Sequence, residues 1–336
     1  MVRSSSGNAR FDVVGIGNAI VDVLARTEDA ALEDLGLAKG SMTLIEASAA
    51  EALYRHMGPG IECSGGSAAN TIAGLASLGG KAAFIGKVKS DQLGRVFRHD
   101  IVSLGVHFTT PPAASGPSTA RCLVFVTPDA QRTLQTYLGA SVALGPEDID
   151  EAVVAAAQVT YLEGYLYDPP RAKEAFRKAC DIAHRRGRKV ALSLSDPFCV
   201  TRHRSAFREL VAGEIDILFA NEHEITALYE SADFDAALQA VRGQCEIACL
   251  TRSDKGSVIV AGDEVHVIDP APVAQVVDTT GAGDLYAAGF LYGRTHGHGL
   301  AASGRLASLC AAEVIGHLGA RPETPLAALA RAAGLA

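Results

Sequence analysis

The segment Asp278-Thr279-Thr280-Gly281-Ala282-Gly283-Asp284 sets two acids, two hydroxyls and two glycines directly before the apolar run Leu285-Tyr286-Ala287-Ala288-Gly289-Phe290-Leu291. The run has the composition of a buried helix. The segment is then its N-terminus, where the first N–H groups lack intrahelical partners and the helix dipole is positive. Glycines let an anion approach that backbone closely. A carboxylate at the same point, Asp284, would repel the anion unless it has a task of its own. As a general base it would take the proton of an attacking hydroxyl, while the amides of Gly281, Ala282, Gly283 and Asp284 hold the group under attack. The chemistry implied is phosphoryl transfer to an alcohol. A turn with Asp284 as a helix cap would account for Gly-Ala-Gly alone. The preceding Asp278, Thr279 and Thr280 favour a functional loop.

A second constellation, Ser64-Gly65-Gly66-Ser67-Ala68-Ala69-Asn70, also opens a helix of small residues. Gly65 and Gly66 allow backbone to approach a ligand, and Asn70, one turn in, offers a donor and an acceptor to vicinal hydroxyls. Near the start, Gly15-Ile16-Gly17-Asn18-Ala19-Ile20-Val21-Asp22 begins like a dinucleotide fingerprint. Ile20 stands where the third glycine is required, which argues against a nicotinamide-dependent dehydrogenase.

The elements that must position these residues follow an α/β rhythm. Phe11–Gly17, Ala82–Gly86, Val159–Leu162, Lys189–Leu194, Ile215–Ala220 and Glu246–Leu250 read as short buried strands. Helical patterns at Ala68–Leu78, Asp91–Ser103, Arg171–Arg186, Ser205–Val211, Glu222–Glu230 and Phe234–Arg242 lie between or after them. Alternation of this kind predicts a mostly parallel sheet covered on both faces, a three-layer α/β/α sandwich. Two stretches break the rhythm. Val23–Ile61 mixes acidic, Gly and Pro signals, and Val106–Gly139 holds a hairpin, Arg121–Thr127 and Gln131–Tyr137, around Pro128-Asp129. The division expected is a large body of 8–22, 63–105 and 141–330, with 23–62 and 106–140 forming a small β lid.

Both glycine constellations, in this order along the chain, resemble the two signatures of the ribokinase-like (PfkB) kinases, and the resemblance runs from about Phe11 to Pro322. It implies an ATP- and Mg²⁺-dependent small-molecule kinase of ribokinase-like fold. Gly65, Gly66 and Asn70 would hold the hydroxyls of the acceptor, and Asp22, with Asn18 nearby, would accept from two adjacent ribose hydroxyls, as a carboxylate can. The Gly-Asn-x-x-x-Asp form and Tyr165, just past a strand end where adenosine kinases carry a purine-stacking aromatic, resemble the nucleoside branch. A purine nucleoside, adenosine first, is the acceptor expected; inosine, guanosine or a free sugar are the alternatives, and a non-catalytic nucleoside sensor is the non-enzyme reading.

The resemblance also assigns Arg132 to the transferred phosphate, and Asn221 with Glu224 to the Asn-x-x-Glu element that anchors water around Mg²⁺. Thr251, Arg252, Gly256 and Thr280 would meet the nucleotide. Asp278, with Thr280 and the segment Gly319–Pro322, would form a monovalent-cation site, potassium being the ion in question.

The 336 residues carry a formal net charge of −8, and no basic run is long enough to suggest nucleic acid or an anionic membrane as partner. Seven scattered cysteines without a C-x-x-C pair fit free thiols in a reducing compartment. Met1–Arg10 is polar and no stretch of 18 apolar residues occurs, so a cytoplasmic protein is expected. Val23–Ile61 shows no one-sided apolar face that would demand an obligate dimer, leaving monomer or homodimer.

Overall fold

Phe11–Ile16 (β1) is buried at all six positions, the burial of a strand covered on both faces. A computed structural model describes residues 9–129 and 131–335 and places β1 inside an eight-stranded sheet. Its other strands are β5 (Ala82–Ile85), β8 (Ala157–Glu163), β9 (Lys189–Ser193), β10 (Ile217–Asn221), β11 (Ile247–Thr251), β12 (Ser257–Ala261) and β13 (Glu264–Ile268), in the order β13-β12-β11-β10-β9-β8-β1-β5. From β5 to β11 every pairing is parallel; β12 and β13 add an antiparallel edge. Alternate side chains of these strands feed two separate cores. Val14, Ile16 and Leu218 pack with Phe176 and Phe207 on one side. Val13, Tyr161 and Phe219 pack with Phe290 and Ile72 on the other. The three layers expected from the alternation are present.

The remaining strands, β2 (Ile20–Arg26), β3 (Met42–Leu44), β4 (Gly60–Gly65), β6 (Ala120–Val126) and β7 (Arg132–Tyr137), form a second sheet in the order β3-β7-β6-β2-β4. β2 alternates, with Val21, Val23 and Ala25 buried and Ile20, Asp22 and Leu24 partly exposed. Val21 and Val23 join the large core, whereas Ile20 and Leu24 pack with Cys122, Val124 and Val126 on the opposite face. Register then sets Asp22 beside Cys122 and Cys63. Because strand side chains repeat every two residues, this register decides that the Asp22 carboxylate shares its face with Cys122 and Thr136.

The strands expected from the sequence fall close to their places, while β2, β3, β4, β12 and β13 are additional to them, and the division drawn at 22/23 and 62/63 cuts through β2 and β4. Asp22 and Gly65 therefore belong to the small sheet. The stretch 23–62 is also less β-rich than its turn signals suggested, since it holds the helices Asp29–Asp34 and Ala47–His56. Residues 106–119 add no strand to the small sheet. His107 exchanges bonds with Ala82 and Phe84, and Ala113 with Val88 and Ser90, so this segment runs along the β5 edge of the large sheet.

Candidate active site

The chain leaves β1 at Ile16 and enters β2 at Ile20, crossing between the sheets through Gly17, Asn18 and Ala19. A cleft of about 870 Å³ opens at this crossing, between the carboxyl ends of the parallel strands and the small sheet. Asn18, Asp22, Gly66, Asn70, Arg132, Tyr165, Asn221, Glu224, Thr251, Arg252, Thr280, Gly281, Ala282, Gly283 and Asp284 all line it, which brings most of the sequence-selected residues to one place.

Gly281 is the N-cap of the helix Ala282–Thr295 and has φ 81°, with a hypothetical Cβ 2.7 Å from the Ala320 side chain; only glycine fits both demands. Leu285 N makes the first intrahelical bond, to Gly281 O, so the amides of Ala282, Gly283 and Asp284 have no carbonyl four residues back. Ala282 N turns to Thr279 O at 3.2 Å, which corrects its assignment as an anion-holding donor. Gly283 has open space where a Cβ would stand, as an approaching anion requires.

Asp284 is held by two neighbours from the other glycine loop. Ser67 Oγ donates to its Oδ1 at 2.6 Å and Asn70 Nδ2 to its Oδ2 at 3.0 Å. Burial raises its pKa to about 6, against the lowering effect of these bonds and of Arg321, and Asp22 adds to the rise. Asp22 is likewise pushed up to about 6 by burial, with Arg132 and Arg321 opposing. Gly65 leaves room for that carboxylate, since a Cβ there would lie 2.4 Å from Asp22 Oδ2. Gly66 takes φ 97° against the carbonyl of Asn18.

The Oδ1 atoms of Asn18 and Asn70 are buried without a hydrogen-bond partner. A buried unpaired acceptor costs about 1–3 kcal/mol, so two of them in the cleft that Asp22 also lines are open to hydrogen-bond donors.

Asn18 is set in place by Glu163, a residue that sequence reasoning passed over. Its Oε1 accepts from Asn18 Nδ2 at 2.6 Å and from Asn18 N at 3.3 Å, and its Oε2 accepts from Ala68 N at 2.8 Å. Only 1% exposed, Glu163 is raised to about 7 by burial, against these three bonds. Gly17 is needed there, since a Cβ would meet Oε2 at 2.3 Å. An acid ending a buried strand, after Tyr161-Leu162, was the available signal.

At the other end of the cleft, Asn221 caps the helix Glu222–Tyr229. Its side chain accepts from His223 N and Glu224 N, while Glu224 Oε1 and Oε2 accept from Asn221 Nδ2 and N. Glu224 is raised to about 7, by burial first and by Asp196 and Asp284 after. Each of its oxygens keeps a second lone pair, so the donor set fits a cation held through water. Asp196, the N-cap of the helix Pro197–Gly213, also lines the cleft and was missed.

Three assignments change. Arg132 is parked, its Nη1 2.5 Å from Asp278 Oδ2. Asp278 also accepts from Thr280 N and Gly319 N, both at 3.0 Å, and does not line the cleft. Burial alone would raise its pKa, but those bonds and the Arg132 charge hold it below the ordinary carboxylate range. While Arg132 is parked there, the charge assigned to a potassium ion is met by a guanidinium. Gly256 lies outside the cleft; its φ of 76° and a Cβ position 2.1 Å from Ile268 O make it a turn residue between β11 and β12. Arg252 lines the cleft but stacks 4.1 Å from the Phe234 ring centroid and sits 3.5 Å from Glu222.

Open first-turn amides at Gly283 and Asp284, with Thr251 and Arg252 across the cleft, suit nucleotide phosphates, and Glu224 suits their Mg²⁺. When bound, the pair supplies the phosphoryl group and the charge neutralisation it needs. Among the described residues no helix is long and apolar enough to cross a membrane, and no cluster of three or more His, Cys, Asp or Glu forms a metal cage.

An acid held beside open amides at a helix N-terminus is the arrangement that phosphoryl transfer to a hydroxyl needs, and the protein is a phosphotransferase acting on an alcohol group. Residues 57–327 match the pfkB family of carbohydrate kinases, and the chain belongs to that family. It is 56% identical to adenosine kinase from Sinorhizobium meliloti, with a TM-score of 0.90 over 97% of this chain and all of that one. A probable sugar kinase protein from Rhizobium etli is 51% identical, with a TM-score of 0.91 over 98% of this chain and all of that one. An ATP-dependent ribose-1-phosphate kinase from Halopiger xanaduensis is 31% identical over 242 residues, 68% of this chain and 73% of that protein.

Proposed function

We propose that the protein transfers the γ-phosphoryl group of ATP to the 5′-hydroxyl of a purine nucleoside, adenosine before inosine or guanosine. The observation that carries this is the two-part character of the acceptor end of the cleft. Asp22 and the unpaired Oδ1 atoms of Asn18 and Asn70 form a polar floor that accepts from ribose hydroxyls. Tyr165, Leu134, Leu138, Met42 and Leu44 line the same cleft and supply aromatic and aliphatic surface for a base. The 56% identity to an adenosine kinase supports the same reading. Asp284 removes the hydroxyl proton, Gly283 and Asp284 N–H groups stabilise the phosphoryl oxygens, and the small sheet acts as a lid that excludes water. Arg132 leaves Asp278 for the phosphate as the lid closes.

The test is a coupled ADP-release assay with ATP and Mg²⁺ against adenosine, inosine, guanosine, cytidine, ribose and 2-keto-3-deoxygluconate. Selective turnover of one purine nucleoside is expected. Turnover of a free sugar alone would overturn the base pocket and keep the chemistry, the reading that likeness to a probable sugar kinase protein favours.

Tyr165 gives a sharper check. Base–aromatic stacking is worth about 1–3 kcal/mol, so Tyr165→Ala should raise the nucleoside KM by roughly 5- to 150-fold and leave that of free ribose unchanged. Equal nucleoside KM values for variant and wild type would refute stacking on this ring.

A further inference from the structure

The short segment Gly319-Ala320-Arg321 touches both glycine loops. Gly319 N donates to Asp278, and Ala320 fills the space a side chain at Gly281 would need. Arg321 reaches the acceptor loop. Its Nε and Nη2 donate to Ser64 O at 3.1 and 2.7 Å, Nη2 also to Ser64 Oγ at 2.9 Å, and Nη1 to Ala69 O at 2.8 Å. These acceptors flank Gly65 and Gly66 on either side. Ser64 is wholly buried and is gripped again from the helix Gln92–Ser103, where Asp100 Oδ2 accepts from its N at 2.8 Å and its Oγ at 2.5 Å. Every polar atom of Ser64 is therefore engaged. Ser67, inside this clamp, and Asn70, immediately beyond it, donate to Asp284.

We propose that Arg321 is a positioning residue of the phosphoryl-transfer site: its guanidinium locks the Gly65–Gly66 turn and, through Ser67 and Asn70, fixes the Asp284 carboxylate. The inference rests on reading Asp284 as the general base. The planar fork of arginine suits the task, because five donors on a rigid frame can reach three acceptors at once, whereas lysine offers a point charge. Arg321 is also the cation that faces Asp284, among the carboxylates of Asp22, Glu163 and Glu224 and the hydroxyls of Tyr161 and Tyr165. Its removal takes that counter-charge from Asp284, whose proton is then lost at higher pH.

Arg321→Met and Arg321→Lys are assayed across pH 5–9 on whichever acceptor the wild type phosphorylates best. A wrong nucleoside assignment thus changes the substrate and not the outcome, and Asp284→Asn run alongside exposes failure of the base assignment. Arg321→Met is expected to lose about 100-fold in kcat/KM for the acceptor, to move the acidic limb of the profile upward by about one pH unit, and to keep the ATP KM within about twofold. Arg321→Lys should keep the acidic limb near that of wild type and raise the acceptor KM about tenfold. A merely structural arginine would lower the melting temperature without moving the limb. A folded Arg321→Met with wild-type kcat/KM and an unmoved limb overturns the proposal. Should that variant not fold, an unchanged acceptor KM in Arg321→Lys overturns it equally.

Discussion

Asp284→Asn is expected to lower kcat for the acceptor by about 10³-fold while leaving its dissociation constant within about threefold, because positioned general bases contribute about 10²–10⁴. Asn keeps the shape and can still bond Ser67 and Asn70, but it cannot take a proton. The pH dependence separates this from a packing effect. Burial sets the Asp284 carboxyl at about 6, and Asp22 titrates in the same range, so kcat/KM of the wild type should rise through pH 6 as a macroscopic step of the pair and level off above it. In the variant the Asp284 part of that limb disappears.

Stability moves the other way. The folded-state pKa of about 6 exceeds the ordinary aspartate value of roughly 4, so the stabilisation from keeping the acid protonated is complete below the lower value and lost as pH rises through the higher one. A neutral Asn escapes that loss, and the variant should melt at or above the wild-type temperature at pH 7.5 by differential scanning fluorimetry. Full turnover in Asp284→Asn, or a collapse in melting temperature that accounts for the lost rate, would remove Asp284 from the role of base.

The buried parallel strands and the two glycine loops were legible because their signals are local. Buried strands such as Phe11–Ile16 are continuous apolar runs, and Gly281 and Gly66 occupy positive-φ positions that only glycine takes readily. What escaped the sequence depends on pairings distant along the chain. Nothing near Glu163 announces that its carboxylate will meet Asn18, 145 positions away, or that Arg321 will grip Ser64 across 257. Arg132 and Asp278 carried the right types, but the ion pair between them joins residues 146 positions apart. Gly256 erred in the opposite sense: a glycine beside a phosphate-type loop was assigned to a ligand, when its own turn against β13 already requires it. The boundaries of the small sheet were misplaced for a related reason. Asp22 looks like the end of a motif, yet its strand continues unbroken from Ile20 to Arg26 through pairing with β4 and β6, partners that no local signal names.

Asp22→Ala should cost the acceptor at least about 100-fold in kcat/KM, since hydrogen bonds to a charged group are worth about 1.5–3 kcal/mol each and the carboxylate is placed to accept two. Its position at the cleft floor is built with some care by the fold: β2 pairing puts it on the cleft face, and Gly65 clears the space its oxygens fill. Loss of activity alone would not say which bonds were lost. Comparing adenosine with 2′-deoxyadenosine does. Wild type should prefer the ribonucleoside, because the deoxy compound leaves an acceptor of a buried carboxylate unpaired, and the preference should shrink to within about threefold in Asp22→Ala, where that acceptor no longer exists. The ATP KM should hold in both proteins, because Asp22 lies on the small sheet, away from the Thr251–Arg252 end of the cleft. Equal discrimination in the two proteins would mean that the 2′-hydroxyl meets another acceptor. The unpaired Oδ1 atoms of Asn18 and Asn70 would then be the groups to substitute, since both are buried acceptors without a partner in that cleft.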